Sequence, residues 1–290
     1  MRVLVAAFLV SGLILESSHA ASFDAQRVEW NAPQQPFRIY GNTWYVGPHG
    51  LSSTLIDTDH GLALIDGDLP ESPPQIEAHV RALGFHVRDI KWIMNSHAHM
   101  DHAGGVAQLQ RDSGAQVISS TEGARQLALG GTYAADPQYG FHLTYAPVRN
   151  VRVVRDHETL QLGNVAITAH YTPGHTPGST SWTWVSCEGA RCLHMVYADS
   201  LTPLGAPGYR FSDHPDYVAG FRRAIATVAA LPCDILLTPH PGASGFWEKI
   251  ARRKSADDVA PLIDTNVCRE YAADATKMLD AQLTKERAAK

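Results

Sequence analysis

The apolar run Ile90–Met94 leads directly into Ser96-His97-Ala98-His99-Met100-Asp101-His102, which packs four potential metal ligands into six residues. Side chains alternate along a strand, so His97 and His99 at its end face the same side. Asp101 and His102 come as the chain turns toward a helix expected over Gly104–Asp112. Imidazole and carboxylate at this density suit zinc. A loop of surface histidines is the weaker alternative, because clustered or buried imidazolium groups repel and are costly.

Two further clusters also follow strand-like runs. Thr172-Pro173-Gly174-His175-Thr176-Pro177-Gly178-Ser179 comes after Val165–His170, and its Pro-Gly turns fix the direction of His175. Leu237-Thr238-Pro239-His240-Pro241-Gly242 closes the strand Asp234–Leu237. Either histidine alone reads as an ordinary loop residue. Three clusters at strand ends point to one site, since loops at strand ends are where sites are built.

The rest of the chain alternates short strands and helices. Phe37–Gly41, Thr43–Gly47, Ser52–Asp57 and Leu62–Asp66 read as antiparallel strands. Ser72 is expected to cap a helix that has Pro73 at its first position and ends at Gly84. Gln116–Ser119 is a strand, and Thr121 caps a helix to about Leu129. A loop rich in Gly, Tyr and Pro fills 130–148. Strands resume at Val151–Val154, Thr180–Val185 and Leu193–Tyr197. Asp216–Leu231 is helical, and Ser255–Lys285 mostly so. One domain of two sheets with helices outside satisfies the layer rules.

Composition bounds the function. The 290 residues include 44% hydrophobic and 18% charged, an ordinary globular balance. A chain this long buries a core unaided, so a metal here serves chemistry rather than folding. Net charge is −5 with no basic stripe, which excludes the usual footprint of a nucleic-acid binder. Arg2, the apolar run Val3–Leu15 and the small-x-small pattern Ser18-His19-Ala20 read as a signal peptide over 1–20, followed by a mature domain over 21–290. At about 13 residues the apolar run falls short of the roughly 20 needed to span a bilayer. Export makes disulfides reasonable for Cys187, Cys192, Cys233 and Cys268, for which three pairings exist. Cys187 and Cys192 flank what reads as a hairpin tip. That would leave Cys233 and Cys268 to tie the C-terminal segment to the body. Free thiols or zinc ligation are the alternatives.

H-x-H-x-D-H, a later G-H-T-P-G and a distal His resemble the metallo-β-lactamase superfamily from about Phe37 to Cys268. A finer resemblance is to subclass B3 metallo-β-lactamases. It is carried by Ala169-His170, Trp182-Thr183-Trp184, Tyr197-Ala198-Asp199-Ser200-Leu201, Ala230-Leu231-Pro232-Cys233-Asp234 and the run Leu237–Ser244. The resemblance implies a four-layer αββα sandwich with metals at one edge. It implies two Zn2+ per chain, one held by His97, His99 and His175 and the other by Asp101, His102 and His240, with Asp101 also catalytic. The implied reaction is hydrolysis of the β-lactam amide of penicillins, cephalosporins and carbapenems by a metal-bound hydroxide. A small-molecule substrate, a periplasmic location and a Cys233–Cys268 disulfide are implied too; a monomer is expected, and the net charge and the short apolar run predict no nucleic-acid or membrane partner.

Ser200 stands where class B1 enzymes supply a Cys ligand. Ser200 and Thr202 are expected to bind the substrate carboxylate, although Thr202 departs from the Ser often found there. Glyoxalase II has a metal-bridging Asp near Asp199, so bridging by Asp199 would weaken the B3 reading. Tyr133, Tyr139, Phe141 and Tyr145 either rim the site or pack their loop. His170 is expected beside the ligands. His60, His79, His86, His157, His194 and His214 read as structural or exposed. The alternatives are a lactonase, a glyoxalase II-like thioesterase, or a noncatalytic zinc-binding protein.

Overall fold

The computed structural model describes residues 23–289, so the expected signal segment lies outside the described residues. A short helix over 23–30 (α1) precedes β1 (Phe37–Tyr40), β2 (Thr43–Tyr45), β3 (Thr54–Thr58) and β4 (Gly61–Ile65). Helix α2 (Pro73–Ala82), β5 (Ile90–Met94), α3 (Met100–Ala103), α4 (Val106–Ser113), β6 (Gln116–Ser119), α5 (Thr121–Ala128) and β7 (Arg152–Val153) complete the first half. The second half holds β8 (Thr159–Leu162), β9 (Val165–Tyr171), β10 (Thr180–Glu188), β11 (Arg191–Tyr197), α6 (Pro215–Ala230), β12 (Ile235–Leu237), α7 (Phe246–Ala251) and α8 (Val267–Ala288).

Strands β1 to β7 lie in sequence order in one sheet, antiparallel up to β4 and parallel from β4 onward. The other sheet runs β12-β11-β10-β9-β8. Three apolar clusters define four layers. Ile56, Ile65, Met94, Ile167, Trp182 and Tyr197 interleave between the sheets. Leu64, Ile76, Val80, Ile93, Val106 and Leu109 seal α2 and α4 onto the first sheet. Val196, Phe221, Ile225, Leu236, Ala275 and Leu279 seal α6 and α8 onto the second. The expected αββα sandwich is therefore the observed fold, with its core in three sheets of side chains rather than one.

Several local expectations are corrected. Ser72 precedes α2 but makes no cap bond; its hydroxyl donates to Asn31 Oδ1 at 2.7 Å. The cap of α5 is Ser120, whose Oγ accepts from Gly123 N–H, so Thr121 is the first helical residue. Helix begins at Val267, not Ser255: before it, Asp258 takes the N–H groups of Lys254 and Ala260 and folds the chain into turns. Strand β8 and helix α7 were not expected. Both disulfides are formed, Cys187–Cys192 across paired positions of the β10–β11 hairpin and Cys233–Cys268 between the turn before β12 and α8. Among the described residues, no helix is long and apolar enough to cross a membrane.

Candidate metal centre

Three loops meet at one edge of the sandwich, and specific bonds bring them there. The segment after β5 is fixed from below by Asp66, a buried residue in the left-handed conformation (φ 62°) at the end of β4. Its Oδ1 accepts from Ser96 N (2.7 Å) and Asn95 Nδ2 (3.1 Å), and its Oδ2 from Ser96 Oγ (2.6 Å) and Tyr197 Oη (2.9 Å). Burial pushes the Asp66 carboxyl up to about 7 against these hydrogen bonds. Thr180 N–H donates to Ser96 O at 2.8 Å, which draws the His175 loop to the His97 loop. That loop also passes so close to α5 that a Cβ on Gly178 would sit 2.2 Å from Gly123 N. Ser52 N–H donates to Pro239 O and carries the His240 loop to the same edge.

The result is a dense cluster. Donor atoms of His97, His99 and His175 lie within 4.8 Å of one another, as do those of His97, Asp101 and His102. His240 joins the second group. Asp101 Oδ2 is 3.2 Å from both His102 Nε2 and His240 Nε2, which are themselves 3.3 Å apart. Those edges match the roughly 3.3 Å ligand separation of a tetrahedron with bonds of about 2.0–2.1 Å.

Neighbours decide which ring nitrogen each histidine presents. An ionised carboxylate only accepts, so a nitrogen bonded to it carries the proton. His97 Nδ1 is 2.7 Å from Asp199 Oδ1, which leaves Nε2 buried with no partner in the protein. His99 Nε2 is 2.9 Å from Asp136 Oδ2, which leaves Nδ1. His175 Nδ1 lies 2.9 Å from both Thr202 O and Thr202 Oγ1, which leaves Nε2. The expected trio thus converges through Nε2, Nδ1 and Nε2.

Electrostatics fit a cation. Burial and the neighbouring rings of His102 and His99 hold His97 well below the usual imidazole range, and burial with His97 and His99 pushes His175 down to about 3. Both therefore keep the neutral form that binds metal. Burial opposes charge on His99, but Asp136 lifts it above its ordinary value. Asp101 is depressed well below the carboxylate range: burial opposes ionisation, and His102 and His240 outweigh it. Burial pushes the Asp199 carboxyl up, against the hydrogen bonds of Ser179 and Ser200 and the nearby His175 and His102.

The other expected residues are placed as follows. Ser200 is buried, and among the described residues no hydrogen bond links its hydroxyl to the histidines. Tyr145 is buried and its hydroxyl donates to Ala98 O at 2.7 Å, so it packs the loop. Tyr139 and Phe141 are exposed. His170 bonds Thr183 Oγ1 and does not reach the cluster, while His79 is buried and donates to Val46 O at 2.8 Å. The sequence reading missed four residues: Asp66, Asp136, Gln138 and Trp30. Gln138 Nε2 lies 3.4 Å from His175 Nε2, and the Trp30 ring packs 5.2 Å from that of His240. Each is an isolated residue in a loop or short helix, and no spacing marks it.

The chain belongs to the metallo-beta-lactamase superfamily, whose family profile matches residues 46–262. Among solved structures it is similar to the Rm3 metallo-beta-lactamase, with 47% identity, 90% of this chain and 98% of that one covered, and a TM-score of 0.86. It is also similar to MEM-A1, a subclass B3 metallo-beta-lactamase isolated from a soil metagenome library, at 47% identity, 90% and 100% coverage, and a TM-score of 0.87. A probable metallo-hydrolase of Burkholderia pseudomallei (strain 1710b) is 30% identical over 63% of this chain, and the chain spans 65% of that relative's length. For the hydroxyacylglutathione hydrolase of Anaeromyxobacter dehalogenans (strain 2CP-C), 32% identical over 62% of this chain, the chain spans 56% of its length.

Proposed function

We propose that this chain is an exported, zinc-dependent β-lactamase of subclass B3 type that opens the amide bond of penicillins, cephalosporins and carbapenems. One observation carries the reading: six donor side chains from three separate loops meet in two adjoining groups, in a fold 47% identical to solved metallo-β-lactamases over nearly their whole length. His97, His99 and His175 would hold one zinc, and Asp101, His102 and His240 the other. Zinc at such a site supplies Lewis acidity and brings the pKa of water near neutrality.

The side chains divide the remaining work. Asp101 Oδ2, 3.2 Å from both His102 Nε2 and His240 Nε2, is the oxygen that would share the metal with them. Its Oδ1 is the oxygen that accepts a proton from the attacking water and passes it to the departing amide nitrogen. Thr202 Oγ1 accepts from His175 Nδ1–H, so its own proton is available to a substrate carboxylate, with Ser200 alongside. The exposed apolar side chains of Tyr139, Phe141 and Leu204 offer contact area for the drug's substituents. The substrate is a small molecule and the enzyme acts as a monomer. The two disulfides support an oxidising compartment, the periplasm.

A thioesterase or lactonase is the second reading, favoured by the hydroxyacylglutathione hydrolase match. Asp199 argues against it: its Oδ1 lies 2.7 Å from His97 Nδ1, and it belongs to neither group of converging donor atoms. The test is turnover by the purified mature chain. Hydrolysis of a penicillin and a carbapenem, abolished by a chelator and restored by zinc, is expected. Turnover of thioesters or lactones alone would overturn the reading.

A further inference from the structure

The loop over 130–148 does more than border the cluster. Asp136 sits in it, 3% exposed, and its carboxylate is fully engaged. Oδ2 accepts from His99 Nε2 (2.9 Å) and from Gln126 Nε2 (2.5 Å) on α5, and Oδ1 accepts from Gln138 N–H (2.7 Å). Donors from three directions leave this carboxylate no free rotation. The backbone around it is closed by turns, Asp136 N–H to Tyr133 O and Tyr139 N–H to Asp136 O. Tyr139 and Phe141 follow within five residues and form the exposed lip. Tyr145 fastens the far side of the loop to Ala98 O, so the loop grips the segment of His97–His99 at two points.

We propose that Asp136 is a positioning residue: it forces His99 to present Nδ1 and ties the Tyr139–Phe141 lip to that same imidazole. A histidine offers a metal one nitrogen, and the hydrogen bond at the other selects which. Without Asp136 the His99 ring can turn over and offer Nε2, which lies further from its own backbone than Nδ1. The lip would lose its anchor at the same time. Metal affinity and lip order are thus set by one carboxylate. This rests on the proposed zinc centre.

Three proteins test it: wild type, Asp136→Ala and Asp136→Asn. The Asn variant keeps the size of the side chain and an oxygen that can accept from His99, so it guards against a simple folding failure. Zinc affinity is read by competition with a chromophoric chelator, the His99 tautomer by 15N-imidazole NMR, and lip order by hydrogen exchange over 132–143. Asp136→Ala should weaken zinc binding by about 10–100-fold. It should also lose the single Nε2–H tautomer of His99 and exchange faster over 132–143, while 173–180 stays protected. Asp136→Asn should recover most of the affinity and the tautomer. Wild type that binds zinc alongside an Ala variant with equal affinity and the same tautomer would overturn the inference and leave the proposed function standing. Wild type that binds no zinc would overturn both.

Discussion

Removing the Asp199 carboxylate is the sharpest test of how His97 is held. His97 Nδ1 and Asp199 Oδ1 are 2.7 Å apart with side chains 1% and 0% exposed, so water cannot replace the bond. A hydrogen bond to a charged group contributes about 1.5–3 kcal/mol and a neutral one about 0.5–1.5. Asp199→Asn retains an acceptor and loses the charge, a difference of about 1–1.5 kcal/mol, or roughly five- to tenfold in zinc affinity. Asp199→Ala removes the acceptor as well and should cost about 10–100-fold. The assay is zinc titration of the metal-free protein against a chromophoric chelator at pH 7, with melting curves of the metal-free forms to show that they fold. Equal affinity for Asp199→Ala and wild type would refute the claim that this carboxylate orients a ligand.

Other outcomes follow from the same geometry. Thr202→Val should raise KM for β-lactams bearing a carboxylate, and Thr202→Ser should restore it; an unchanged KM would remove Thr202 from the substrate site. His240→Ala should bind one zinc tightly and the second poorly, as read by metal analysis after dialysis. Replacing Cys233 and Cys268 together by Ser opens a crosslink with a sequence separation of 35, which should cost about 3–4 kcal/mol in urea unfolding. Glu286 caps the N–H groups of Phe211 and Ser212, and these bonds hold its carboxyl below its ordinary value although burial opposes them. A depressed carboxylate stabilises the fold above its unfolded pKa of about 4.3 and loses that contribution as pH falls through the native value. Glu286→Gln should therefore flatten the acid limb of the stability curve and leave the neutral-to-alkaline side parallel to wild type.

Much of the architecture is legible in the sequence because strand and helix carry different periods. Ile90–Met94 and Gln116–Ser119 have the bounds their apolar runs indicate. Strand β8 escaped because Thr159–Leu162 is half polar and follows a tight turn at His157 (φ 60°), so its alternation is only four residues long. The cap of α5 falls on Ser120 and not on the adjacent Thr121, because neighbouring hydroxyls can each serve; Ser72 holds the expected cap position of α2, but its hydroxyl is drawn to Asn31. In the site, the histidines announce themselves by density and by flanking turns. Their partners do not. Asp66 and Asp136 are single carboxylates, 30 and 37 positions from the residues they fix, and only folding brings them there.

The most direct test of the account is a zinc-edge anomalous diffraction map of crystals grown from the mature chain with zinc. Two peaks are predicted, one bounded by His97 Nε2, His99 Nδ1 and His175 Nε2, the other by Asp101, His102 Nε2 and His240 Nε2. A single peak, or a second one that His240 does not touch, would contradict the two-metal site from which the chemistry has been argued.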